Sequence, residues 1–199
     1  MVILAVAALA AGIFCGFTGL GESVTEGLVQ NRELILGVLM FLVGISIGMH
    51  RGLFRKIREY HVRILIIPGG IIVGSIAGGI VCAWLTGFPL NQSTAVASAL
   101  GWYSLGGVML ENLAGAQMGS ITFLSCLMRE IFSFFMIPWI AKYLNYYSCI
   151  APAGATSEDT TLPMMIRYTN EETVVLSVLN GVICSAMVPV LISFCFHFF

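Results

Sequence analysis

Charge is what this sequence has least of. Lys, Arg, Asp and Glu make up 10% of its 199 residues, where a soluble domain carries about 25%. A chain that is 58% hydrophobic with so little charge reads as an integral membrane protein, not a water-soluble domain. Aspartate occurs once, at Asp159, which excludes an aspartyl dyad formed within the chain. No basic stretch interleaved with aromatics is present, so no nucleic-acid surface is read. None of the six cysteines (Cys15, Cys82, Cys126, Cys149, Cys184, Cys195) forms a C-x-x-C pair. They read as small apolar packing residues, and neither a metal nor a redox site is indicated. H-E-x-x-H and Walker-type patterns are also missing, so no enzyme and no cofactor is expected.

What is present is apolar sequence in long runs. A membrane-crossing helix needs about 20 such residues. About seven candidate segments follow one another: Met1 to Leu20, Leu34 to Met49, Ile64 to Leu85, Ala95 to Leu113, Gly119 to Ile140, Ile150 to Arg167 and Thr173 to Phe199. The first is read as a span and not as a cleaved signal, because no basic stretch precedes it. The fold class is therefore an all-α integral membrane protein, with residues 1–199 as one membrane domain. Five of the nine Lys and Arg (Arg51, Arg55, Lys56, Arg58, Arg63) lie in one short loop. The positive-inside rule places that loop in the cytoplasm.

Two segments are broken or re-entrant. One is interrupted by GWYSLGG, Gly101 to Gly107, and the other by GATSEDTTLP, Gly154 to Pro163. The second run carries Glu158, Asp159, Thr156 and Ser157 between apolar stretches. Backbone that leaves the helix at membrane depth is tolerated where it lines a polar cavity, and carriers build substrate sites from such interrupted helices. The alternative is a solvated acidic loop. The arrangement fits part of an inverted-repeat transporter, although an odd count of spans gives no two equal halves.

Glu130, beside Arg129, falls near the middle of the fifth segment. An intramembrane charge costs at least about 2.5–3.5 kcal/mol on insertion scales, so it marks a functional position by default. Helical spacing puts Thr122, Cys126, Glu130 and Ser133 on one face. Arg129 could serve only to neutralise Glu130, but adjacent helical residues do not face each other. Glu158 and Asp159 diverge by about 100° on a helix, so one of them faces the cavity squarely. Trp102 and Tyr103 can hold an ammonium through their ring faces, with Ser104 adding a hydroxyl. They could equally form an interfacial belt. Asn180, one turn from Ser177 and Cys184, either binds substrate or glues helices. Gly154 supplies the freed backbone of the second break.

Three stretches in this order, ASALGWYSLGG, LMREIFSFFMIP and GATSEDTTLP, resemble the lysine exporter LysO family of bacterial inner-membrane proteins. The likeness covers nearly the whole chain and is strongest from about Ala95 onward. It implies a multi-pass protein of the inner membrane that exports L-lysine and analogues such as thialysine by proton antiport. It also implies that the family's intramembrane carboxylates fall on Glu130 and Asp159. Asn180 stands where members often carry His, which leaves any role of that His in doubt here. Relatives of the family are longer at the N-terminus by about three spans. The expected partners are therefore L-lysine, protons, the lipid bilayer and a small membrane subunit supplying N-terminal spans, with a homo-oligomer as a further option.

Lysine carries two ammonium groups and one carboxylate. Glu130 and Asp159 would accept the cations, and a freed helix N-terminus near Gly154–Ser157 would take the carboxylate. A carboxylate in a cavity binds either a proton or a cation, which couples the two. The same broken helices would suit a sodium- or proton-coupled carrier of another small solute. A different class of reading is a non-transporting subunit of a membrane complex.

Overall fold

The computed structural model describes residues 63–199, together with Ala11, Phe14, Cys15, Asn31, Leu34, Val38, Phe41 and Ile45. The first two expected spans, and the basic loop before Arg63, lie outside the described residues.

Everything regular among the described residues is helical. Helix α1 is Arg63–Thr86, uncharged after its first residue. Its 24 residues reach about 36 Å at 1.5 Å per residue, enough for a hydrocarbon core of about 30 Å. It stops at Gly87, where φ is +76°, just before Pro89, which precedes the short helix α2, Leu90–Ala97. Helix α3 is Tyr103–Ala114. One residue, Gly115, turns it into α4, Ala116–Tyr143. After a 3-10 turn at Tyr147–Cys149 come the four-residue helix α5, Ile150–Ala153, a 3-10 stretch at Gly154–Glu158 and α6, Leu162–Tyr168. Helix α7, Glu171–Phe198, closes the chain. Its start is set by Asn170, whose Oδ1 accepts from the Thr173 N–H at 2.9 Å and caps the first turn.

Three of these helices, α1, α4 and α7, are long and apolar enough to cross a membrane. The seven-segment count and an inverted repeat are not decided by the described residues. Helix α3 packs along α4, α1 along α2, and α7 against the 3-10 stretch, α2 and α3. The buried residues of α7 run through its whole length, from Thr173 to Cys195, so α7 is the central post. By contrast α1 presents Val73, Trp84 and Leu85 outward at 69%, 88% and 76% exposure. Apolar side chains turned outward on a long helix are what lipid contact requires.

The breaks fall close to where the sequence placed them, with one shift. The first lies at Ser98 to Trp102, and Tyr103 to Gly107 already form the opening turns of α3. A glycine pair such as Gly106–Gly107 weakens a helix but does not end it. The second break covers Gly154 to Thr161.

Candidate functional site

The two breaks meet. Leu100 and Gly101 turn to φ +51° and +98°, and Gly154 to +61°. These turned residues expose backbone groups that a helix would have consumed. The Ala155 N–H donates to the Leu100 carbonyl at 3.0 Å, so the interrupted backbones are bonded directly to each other. Leu100 pays for a left-handed conformation of about 1–2 kcal/mol, and full burial of its side chain holds it there.

Helix α7 fastens the second break from behind. Ser157 Oγ donates to the Ser177 carbonyl and Ser177 Oγ donates to the Ser157 carbonyl, both at 2.8 Å. Asn180 Nδ2 donates to the Gly154 carbonyl and to Ser157 Oγ, each at 3.0 Å. Close approach is possible because residue 181 is glycine. A Cβ there would stand 2.5 Å from Glu158 Cβ and 2.6 Å from the Glu158 backbone nitrogen. Thr156 Oγ1 donates to the Ala153 carbonyl at 2.9 Å, and Thr161 Oγ1 to the Thr156 carbonyl at 3.0 Å. Thr156, Ser157 and Asn180 therefore spend their polar groups on holding the break in shape.

Helix α4 crosses the same place and offers two charged residues. Arg129 Nε donates to the Pro152 carbonyl at 3.1 Å, Nη2 to the Ala151 carbonyl at 3.3 Å, and Nη1 to Ser75 Oγ of α1 at 3.1 Å. Glu130 is 1% exposed, on one buried face with Thr122, Cys126 and Ser133. Neither of its carboxylate oxygens, nor the buried Thr160 hydroxyl, meets a partner in good hydrogen-bond geometry, although the Thr160 side chain stands close enough to interact with the carboxylates of both Glu130 and Asp159. Asp159 and Thr160 lie within electrostatic reach of Glu130, and Tyr103 lies within reach of both Glu130 and Asp159. Glu130, Asp159, Thr160 and Tyr103 are thus electrostatic neighbours near the crossing.

Asp159 is solvent-exposed while Glu158 is half-buried. Glu158 turns toward α7, where Oε1 accepts from Ser185 Oγ at 2.9 Å. The divergence of these neighbours follows from the turn between them. Trp102 Nε1 donates to Ser104 Oγ at 3.0 Å, which engages both. The Tyr103 ring stands edge-on to Phe123 at 5.3 Å between centroids. The Gly154–Ser157 stretch, where a freed helix N-terminus was expected, is 3-10, and its Ala155 N–H is taken by the Leu100 carbonyl. The carboxylate-binding backbone expected there is a difference between sequence and structure.

Sequence reasoning missed Ser75, Gly181 and Ser185 as parts of this assembly, and named Ser177 only as a helical neighbour of Asn180. Ser177 carried one signal, since it sits one turn before Asn180 on α7 by helical spacing. Ser75 carried none. Among the described residues no group of three or more His, Cys, Asp or Glu could hold a metal ion.

A family model described as "Lysine exporter LysO" matches residues 6–196. The chain is 33% identical over 183 residues to "Lysine exporter LysO" of Escherichia coli K12, a match covering 92% of this chain and 60% of that protein. It is 32% identical over 166 residues to "Putative lysine exporter" of Haemophilus influenzae, covering 80% of this chain and 81% of that relative. No solved structure matches the chain.

Proposed function

The chain belongs to the lysine exporter LysO family, and from that premise we propose that it carries L-lysine, and analogues such as thialysine, out of the cytoplasm across the inner membrane in exchange for protons. One observation carries the site assignment: Glu130 is buried and neither carboxylate oxygen makes a well-formed hydrogen bond. A buried carboxylate without a partner is expensive to keep. It is retained where a ligand or a proton completes it during the cycle. Asp159 and Thr160 stand close by, and together they offer an ammonium group two carboxylates and a hydroxyl. Tyr103, at the opening of α3, adds a further polar group within reach of both carboxylates.

The coupling follows from competition. Lysine's ammonium needs the carboxylates ionised, whereas a proton neutralises them. A carrier that exchanges one occupant for the other at a single site needs no separate coupling device. The crossing of two broken helices supports this reading, because carriers with discontinuous helices bind solute at such breaks. Gly154, Thr156, Ser157 and Asn180 then position the carboxylate-bearing loop. Trp102 and Ser104 brace the first break.

Glu158→Gln should lower export by no more than about threefold. Glutamine keeps an Oε1 that can accept from Ser185, and the position packs against α7. Initial rates of lysine efflux from loaded cells, normalised to membrane expression, give the comparison with wild type. A loss as deep as that of Asp159→Asn would make Glu158 a site carboxylate instead.

Export itself is tested by counterflow. Proteoliposomes preloaded with unlabelled lysine should accumulate radiolabelled lysine, with alanine giving no accumulation. The E. coli relative is longer than the matched region. The same assay is therefore run with and without a co-expressed candidate membrane subunit, which tests the expectation of a partner. Absence of counterflow in both arms contradicts the export reading.

A further inference from the structure

Arg129 is a charged group at the crossing that the export cycle above does not use. Its neighbour Glu130 is not its partner. All three of its hydrogen-bonded nitrogens point at neutral oxygens: two backbone carbonyls, of Ala151 and Pro152, and the hydroxyl of Ser75. The carbonyls belong to α5 at the end where the helix breaks. A helix C-terminus concentrates negative partial charge on carbonyls that have no partner in the next turn.

Carbonyl and hydroxyl oxygens are the ligands that a hard cation selects. In sodium-driven carriers, unwound carbonyls and half-helix C-terminal ends hold the ion. Here the same kind of oxygen set is occupied by a guanidinium tethered to α4. The fit depends on Gly154, where a Cβ would stand 2.9 Å from Arg129 Nη2. Two cavities, of about 440 and 350 Å³, run along α1 and both end on Arg129 and Ser75. They give small solutes an approach to this position from either side.

We propose that Arg129 is a built-in cation: it fills the place at the helix break that a bound sodium ion would take, so that the carrier works without sodium. Arg129 is then a positioning residue. It satisfies the end of α5, ties α1 to α4 through Ser75, and keeps the break in the geometry that presents Asp159 beside Glu130. The transport consequence rests on the export reading, but the occupancy of the oxygen set does not.

The test uses the full chain, purified and reconstituted. Wild-type counterflow and wild-type melting temperature in detergent should be the same in sodium chloride and in choline chloride. Arg129→Ala should lower counterflow by about tenfold or more. Tens of millimolar guanidinium or sodium should restore it several-fold, and choline should not. The variant's melting temperature should rise with guanidinium or sodium, and Ser75→Ala in the same background should weaken that rise. Arg129→Lys should stay sodium-independent, and it provides the variant arm if Arg129→Ala does not fold.

Sodium-dependent counterflow or melting in wild type overturns the proposal. So does an Arg129→Ala protein that folds and shows no response to either cation, or one as active as wild type in choline. A sodium requirement in Arg129→Lys would overturn it as well. Wild type that moves no lysine contradicts the export reading alone, because the melting comparison needs no lysine and still decides the role of Arg129.

Discussion

Glu130→Gln should abolish lysine export, by about a hundredfold or more, and leave the protein folded in the membrane. The magnitude is that of removing one positioned electrostatic group from a site. The wild-type carboxylate is 1% exposed and makes no well-formed hydrogen bond through either oxygen, so little in the resting fold depends on its charge. Glutamine has nearly the same shape and no net charge to desolvate. Melting in detergent should therefore stay at or above the wild-type value, since an uncompensated buried charge destabilises. Asp159→Asn should show the same loss of export, with little change in stability because the side chain is exposed. The two variants are compared with wild type by lysine efflux at matched expression. Normal export by both would move the site elsewhere, with Tyr103 next in line.

Gly154→Ala should fail for a different reason, through the backbone. Gly154 adopts φ +61° and ψ −125°, a region essentially reserved for glycine, where another residue costs about 1–3 kcal/mol. The added Cβ would also run into the Leu100 carbonyl and press on Arg129 Nη2. Relieving that contact means giving up the Ala155-to-Leu100 bond that joins the two breaks and disturbing the Asn180 bond to the Gly154 carbonyl. Each such bond contributes about 1 kcal/mol net, more where a buried group is left unpaired. A total near 3 kcal/mol or above is expected, seen as a drop in melting temperature together with loss of export. Gly78→Ala on α1 is the control. A Cβ at Gly78 meets nothing within 4 Å, and alanine favours a helix by about 0.5–1 kcal/mol over glycine. Equal melting of the two variants would show that the crossing does not depend on Gly154.

The long apolar helices were legible because a span announces itself by length and composition. The segments read at Ile64, Gly119 and Thr173 correspond to α1, α4 and α7, each longer in the structure by a residue or more at its start. The breaks were legible because polar residues and glycines interrupt those runs. Their positions were less so: GWYSLGG contributes its first two residues to the break and the rest to α3, since tertiary packing overrides the low helix propensity of its glycines.

Local geometry also explains what was read correctly about Arg129 and Glu130. Neighbours on a helix diverge, so the two do not pair. Where Arg129 does go could not be read, because Ser75 and Pro152 lie 54 and 23 residues away and only packing brings them together. The same holds for Asn180. Its polarity marked it as glue or ligand, and the choice between them needed the Gly154 carbonyl and Ser157 in place. One of the expected anion-binding N–H groups, that of Ala155, is taken by the Leu100 carbonyl of the first break, a bond that no sequence pattern signals.

The claim on which the account rests is that lysine and protons compete for Glu130 and its neighbours. Lysine affinity of the purified protein, measured across a pH series by calorimetry in detergent, tests it most directly. An ionised carboxylate binds the ammonium and a protonated one does not, so wild-type affinity should fall as pH is lowered through the titration of these groups. Glu130→Gln should bind lysine weakly at every pH, with a flatter profile. Wild-type affinity independent of pH, or a Glu130→Gln protein with wild-type affinity and slope, would contradict it.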